Sequence, residues 1–278
     1  MRAKWCLPLL LVLAACASAP KPVDPPLLKA ALEAESDGAK RFQRGDLTVA
    51  ERRFTEAMRR FASIDDAPGS VRNRQHLIRV KLAQGHADAA LELLAGIPSG
   101  SAQDVEVLLL RGQALLALDR GAEASEALDL AAGRCGANCV AAASLGILRG
   151  RASLRRGDGL AVIAHAERVL ALLRERDEPQ EIGNAWRLLA AGRLATGDTT
   201  ALAAAQAALE IDRRLALPEK SAHDWLLIGD IHRRFTLELP SGGNDARRAY
   251  ARALEIAEAA GLKEISLIAS QALQAIGM

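Results

Sequence analysis

Five histidines, His76, His86, His165, His223 and His232, are the side chains best suited to bind a metal or move a proton near neutral pH. They are scattered through the chain. His223 and His232 share one helical stretch, but they are nine residues apart. That places them on nearly one face and more than two turns from each other, too far for one ion to join. Asp65, Asp66 and the acidic run from Glu175 to Glu178 fall where turns and helix ends are expected, as solvated charge. No serine stands in a nucleophile elbow, no glycine-rich loop ends in Lys followed by Ser or Thr, and no helix carries His-Glu-x-x-His. These residue types predict no enzyme, no cofactor, no metal and no small-molecule substrate.

The cysteines divide into two groups. Met1 to Lys4 carries two positive charges, an apolar run follows from Trp5 to Leu13, and small residues lead to Cys16. A basic start, a short apolar stretch and a small-residue junction make a signal peptide rather than a membrane span. The sequence Leu13, Ala14, Ala15, Cys16 is similar to the lipobox of bacterial lipoproteins. The resemblance implies cleavage before Cys16, a diacylglycerol on its sulfur, and residues 1–15 removed. The alternative is an ordinary cut after Ala19, which would leave Pro20 directly behind it. Ala17 is not an aspartate, and in lipoproteins of Gram-negative type that implies onward export to the outer membrane, facing the periplasm. Cys6 leaves with the signal. Cys135 and Cys139 then remain as an even pair in an exported chain, which favours a local disulfide over two free thiols. Two thiols with no neighbouring histidine do not make a zinc site.

Composition bounds the elements that must position any site. The 278 residues hold 36 basic and 34 acidic side chains, and loss of Arg2 and Lys4 brings the mature chain to charge balance. Without a block of like charge, nucleic acid is not an expected partner. Half the chain is hydrophobic but only 3% is aromatic, and Ala, Leu, Arg and Glu dominate. These are strong helix formers, so the fold class is all-α. Residues 16–28 form a proline-rich tether without periodicity, and residues 29–278 form the folded part.

Within that part, turns built on Gly or Asp recur at Gly45, Gly85, Asp119 to Gly121, Gly157 and Gly197, in steps of 40, 36, 36 and 40 when each is counted at its glycine. Apolar residues at helical spacing flank each turn, as Val105, Leu108, Leu109, Leu115 and Leu116 do before one and Leu128 does after it. A helix pair repeating at this period is a helical solenoid. Gly45, Asp46 and Leu47 with Ala50, Phe54 and Ala57 resemble the second half of a tetratricopeptide repeat. The series returns as Ala246, Tyr250, Ala253 and, with leucine for the aromatic, as Ala124, Leu128, Ala131. Gly38, Gly112, Gly150 and Gly229 take the close-packing place in first helices, and Trp186 and Trp225 stand where that family often has tryptophan. The resemblance implies a right-handed solenoid of about six helix pairs, near 29–63, 70–97, 102–133, 140–176, 180–214 and 221–260, with a capping helix over 264–276. The fourth and fifth pairs depart from the pattern, and the sixth carries an insertion over 237–243, either a contact site or a tolerated loop.

In tetratricopeptide folds the first helix of each pair lines a concave groove. Carried over residue by residue, that face holds Arg72, Gln75, Arg79, Arg151, Arg155, Arg187, Arg233 and Arg234, against Glu35, Glu106 and Asp230. Such a groove would be basic and would hold an acidic peptide or a carboxylate, unless the arginines pair with acids of neighbouring helices. The expected function is a bacterial outer-membrane tetratricopeptide lipoprotein. It would be a scaffold for periplasmic or outer-membrane proteins, tethered to the membrane through Cys16, in assembly of a pilus, secretin or outer-membrane machinery. A regulator of cell-wall synthesis that binds peptidoglycan or a synthase is the alternative.

Overall fold

A computed structural model describes residues 25–98, 104–136, 139–235 and 242–277. The signal peptide, Cys16 and most of the insertion over 237–243 lie outside the described residues. Thirteen helices run through the described residues: α1 (Pro26–Gln43), α2 (Leu47–Ser63), α3 (Ala67–Ala83), α4 (Ala87–Ala95), α5 (Val105–Ala117), α6 (Gly121–Arg134), α7 (Ala142–Arg155), α8 (Gly159–Leu172), α9 (Pro179–Thr196), α10 (Ala201–Arg214), α11 (Pro218–Arg234), α12 (Gly242–Ala259) and α13 (Lys263–Gly277). They form six antiparallel pairs and a final cap. α1 starts at Pro26, so residues 26–28, placed in the tether on sequence, are its first turn instead. Proline at the first helical position loses no bond, because that N–H has no partner within the helix anyway.

One turn is reused along the stack. Gly45, Gly85, Gly157 and Gly197 all take left-handed backbone, with φ of 76° to 79°. In each case the next residue's N–H bonds back five residues: Asp46 to Arg41, His86 to Lys81, Asp158 to Ser153 and Asp198 to Arg193, at 2.8–3.0 Å. This closes the last helical carbonyls and reverses the chain. The third pair corrects the sequence phase. Its left-handed residue is Asp119 (φ 59°), while Gly121 is already the first residue of α6. Asp65 and Ala216 take the same conformation at two turns between pairs. Alanine there is strained by its Cβ. Ala216 is exposed, so Ala216→Gly is expected to stabilise the protein by about 0.5–1 kcal/mol after glycine's entropy loss is counted. Thermal unfolding of the two chains checks this; an unchanged or lower midpoint would contradict it.

Each second helix packs against both its own first helix and the next one, whereas first helices also touch one another from α3 through α11. The first helices are therefore the inner layer. Hydrophobic clusters follow each other along the stack rather than merging into one core. Small residues set the spacing. A Cβ on Gly38 would meet the Phe54 ring at 2.8 Å, and one on Gly112 would meet Leu128 at 2.7 Å. Gly150 differs, because the gap it leaves is filled by Leu188 of the next pair at 2.4 Å. The second helix of its own pair offers only Ala166 at the matching position, and alanine is too short to reach.

Cys135 and Cys139 are joined by a disulfide with Cα atoms 5.2 Å apart, at the corner between α6 and α7. Trp186 and Trp225, one repeat apart, are half-buried against the same cluster and each floors an outer groove, of about 550 and 490 Å³.

Candidate functional site

The arginines expected to make the groove basic lie mostly in ion pairs, and these pairs tie successive repeats together. Arg72 of α3 makes a two-pronged contact with Glu35 of α1, Nε donating at 2.6 Å and Nη2 at 2.8 Å. That contact draws the Glu35 carboxyl below the usual carboxylate range. Arg79 donates to Glu106 of α5 at 2.6 Å. Arg155 reaches back to Asp119 at 2.9 Å, with both groups largely in water, and adds little. Arg233 stands 3.6 Å from Asp230, and Arg234 lies over the Phe235 ring, 5.8 Å from its centre. Gln75 is half-buried on α3. The groove is thus a charge-paired ladder and not an open basic stripe. The reason lies in the repeat itself: a side chain on one first helix faces the equivalent stripe on the next, so acids and bases at matching phase meet.

Arg187 has the most demanding surroundings. Its guanidinium, 17% exposed, donates through Nε to Asp224 of α11 at 2.6 Å and through Nη2 to Asp212 of α10. Both aspartates are fully buried. Its Nη1 donates to Asn184 at 3.1 Å, Asn184 donates to Glu181 at 3.1 Å, and the Ser144 hydroxyl donates to Glu181 at 3.3 Å. One guanidinium facing two buried carboxylates leaves a negative charge in excess. Burial pushes the Asp224 carboxyl up to about 7; Arg187 opposes the shift, and Asp212 at hydrogen-bonding reach adds to it.

Arg151 is the exception among the expected arginines. It has no hydrogen bond and no ion pair among the described residues. Its surface is open to solvent, yet protein surrounds it on most sides, as at the floor of a concave wall. That crowding pushes the guanidinium below its ordinary range; the Arg187 charge adds to the effect and Glu181 opposes it. Lys220 and His223, at the start of α11, belong to the same neighbourhood. Burial lowers both, and the Arg187 and Arg151 charges bear on each. The sequence reading missed Ser144, Glu181, Asn184, Asp212, Lys220 and Asp224. A signal existed in helical phase: Ser144 and Arg151 are seven residues apart on α7, and Glu181, Asn184 and Arg187 recur every three on α9.

Among the described residues no group of three His, Cys, Asp or Glu side chains is placed to hold a metal. No helix among them is long and apolar enough to cross a membrane. What the wall offers chemically is hydrogen-bond donors and fixed charge, the equipment of recognition.

Residues 48–112, from α2 into α5, match the tetratricopeptide repeat family. That segment carries the tetratricopeptide signature. No curated protein matches it in sequence. Among solved structures, the apo form of RapI is similar over 88% of this chain and 70% of that one, at 13% identity and a TM-score of 0.60. A tetratricopeptide repeat protein from Parabacteroides merdae is similar over 90% and 94%, at 17% identity and a TM-score of 0.50. At such identities the likeness concerns the fold. A helical solenoid of this length presents its inner first helices as an extended surface, the kind on which repeat proteins bind partners.

Proposed function

We propose that this tetratricopeptide protein is a lipid-anchored scaffold on the periplasmic face of the outer membrane. Its inner wall holds an acidic segment of a protein partner where α7, α9 and α11 meet, in assembly of an envelope complex such as a pilus, secretin or outer-membrane machinery. Arg151 carries the binding part of this reading. Among the described residues it is a cation left without a partner in a wall where Arg72, Arg79, Arg155 and Arg187 are all satisfied. A guanidinium with no carboxylate of its own gains more from an incoming one than a paired guanidinium does. Lys220 stands nearby to add a donor. The anchoring part rests on the junction ending in Cys16.

Crosslinking in living cells, followed by capture under denaturing conditions and mass spectrometry, tests both parts. Arg151→Glu is expected to remove a specific protein adduct while leaving thermal unfolding unchanged. Arg155→Glu, on the same helix but already paired with Asp119, is expected to leave that adduct in place. Equal loss in both variants, or in neither, would refute the Arg151 site. Cys16→Ser is expected to abolish lipid labelling and move the protein out of the membrane fraction. If the variant stays membrane-bound, the anchor assignment is wrong.

A further inference from the structure

A second cluster of cations lies on the other side of α7. Arg149, Ser153 and Arg156 form a stripe of that helix which, at about 100° per residue, points away from Arg151 and Arg155. With Ser125 and Asp129 of α6 and His165 of α8 they line a hollow of about 240 Å³. Arg149 and His165 also wall an adjoining hollow that includes Arg168.

The hydrogen bonds here are unlike those of the inner wall. Arg156 donates through Nη1 to the Ser125 hydroxyl and through Nη2 to the Ser153 hydroxyl at 3.1 Å, and Ser153 is buried. Arg168 donates to the Ala164 carbonyl at 3.0 Å and lies 3.2 Å from His165 Nδ1. Neither arginine has a carboxylate within ion-pair distance among the described residues. Arg149 is paired with Asp129 at 2.9 Å, but that aspartate is 62% exposed. Arg149 and Arg156 thus line the hydroxyl-bearing hollow and Arg168 the adjoining one, with one water-facing carboxylate to balance them. Burial lowers His165, and the charges of Arg168, Arg149 and Arg156 lower it further, against Asp129, so the ring is neutral at pH 7. With Arg168 donating to Nδ1, the neutral ring keeps its proton on Nε2 and is itself a donor.

We propose that this hollow is a binding site for a phosphate group, free or as a small phosphomonoester. Guanidinium forks and hydroxyls match the several oxygens of a tetrahedral dianion, whereas a planar carboxylate has too few acceptors to engage them all. The volume admits a phosphate with a short substituent. The site is separate from the partner-binding wall, so its failure and the failure of that reading are independent.

Isothermal titration of the full chain with inorganic phosphate and with glycerol 3-phosphate, at ionic strength matched with chloride, tests the proposal. Saturable binding is expected, and whichever probe binds tighter identifies the free or the esterified form. Replacing both Arg149 and Arg156, the guanidiniums that line the hollow, by glutamine is expected to weaken it at least about tenfold. Ser125→Asp, which leaves both arginines in place and sets a negative charge in the hollow, should do the same, and Arg155→Gln should not. Heats that never saturate with either probe, or affinity retained in both the arginine variant and Ser125→Asp, would overturn the site.

Discussion

Replacing Arg187 by methionine is expected to destabilise the protein by about 3–5 kcal/mol, because removal of one member of a buried ionic group leaves its partners charged and unpaired. Asp212 and Asp224 would face each other without a cation, both fully buried. Denaturant unfolding at pH 7.5 checks the size of the effect. Adding Asp212→Asn and Asp224→Asn to Arg187→Met should recover much of the loss, since a neutral cluster carries no unpaired charge. If the triple variant is no more stable than the single one, packing rather than charge is responsible. The lesion should also be local. Repeat arrays are held by nearest-neighbour interfaces, so hydrogen exchange should speed up over α9–α13 while α1–α4 keep their protection.

The same cluster fixes a pH dependence. The Asp224 carboxyl is raised in the folded protein to about 7, above its ordinary 3.8. Between those values the folded chain holds a proton that the unfolded chain releases. Protonation therefore favours folding: the contribution is full below pH 3.8 and is lost as pH rises through 7. Stability should fall from pH 6 to pH 8. Asp224→Asn keeps an acceptor for Arg187 and supplies a permanent donor toward Asp212, so it should flatten this slope and exceed the parent at pH 8. A slope unaltered in Asp224→Asn would assign the proton to another group.

Gly229→Val is the second large effect, and it arises from space. A Cβ at Gly229 would stand 2.4 Å from Tyr250 Cε1 and 2.6 Å from Cδ1, well inside contact distance. The ring cannot retreat. It is 1% exposed, and its hydroxyl donates to Asp230 at 2.7 Å, which fixes its far end. Overpacking of this kind costs about 1–3 kcal/mol. Gly229→Ala should lose less, because alanine returns up to about 1 kcal/mol of helix propensity. Calorimetry of Gly229→Ala, Gly229→Val and each combined with Tyr250→Leu would show the coupling: the valine should cost less when leucine replaces the ring. Additive losses would show that ring and glycine do not share the same space.

The repeat was legible in the chain because each turn and each close approach demands a particular residue type. Gly45, Gly85, Gly157 and Gly197 mark helix reversals, since left-handed backbone penalises a Cβ. Where the penalty is met by another residue, as at Asp119 and Ala216, the sequence phase slipped or the turn went unread. Gly38 with Phe54 and Gly112 with Leu128 paired at the expected offset, because both partners lie within one helix hairpin. Gly150 did not, because its partner belongs to the next repeat.

The sequence by itself determined the helical class and the period, and its tetratricopeptide resemblance implied the inner layer, all of which depend on residues close together in the chain. Only the tertiary structure decided what the arginines do. Among the described residues, Arg72, Arg79, Arg155 and Arg187 are neutralised by acids 25 to 37 residues away, and Arg151 is not. Arg156 meets the Ser125 hydroxyl, 31 residues away on α6, rather than a carboxylate. Charge pairing between repeats depends on the rotation and rise of one hairpin against the next, and that geometry is set by packed volumes such as Leu188 over Gly150, which no local pattern of residues encodes.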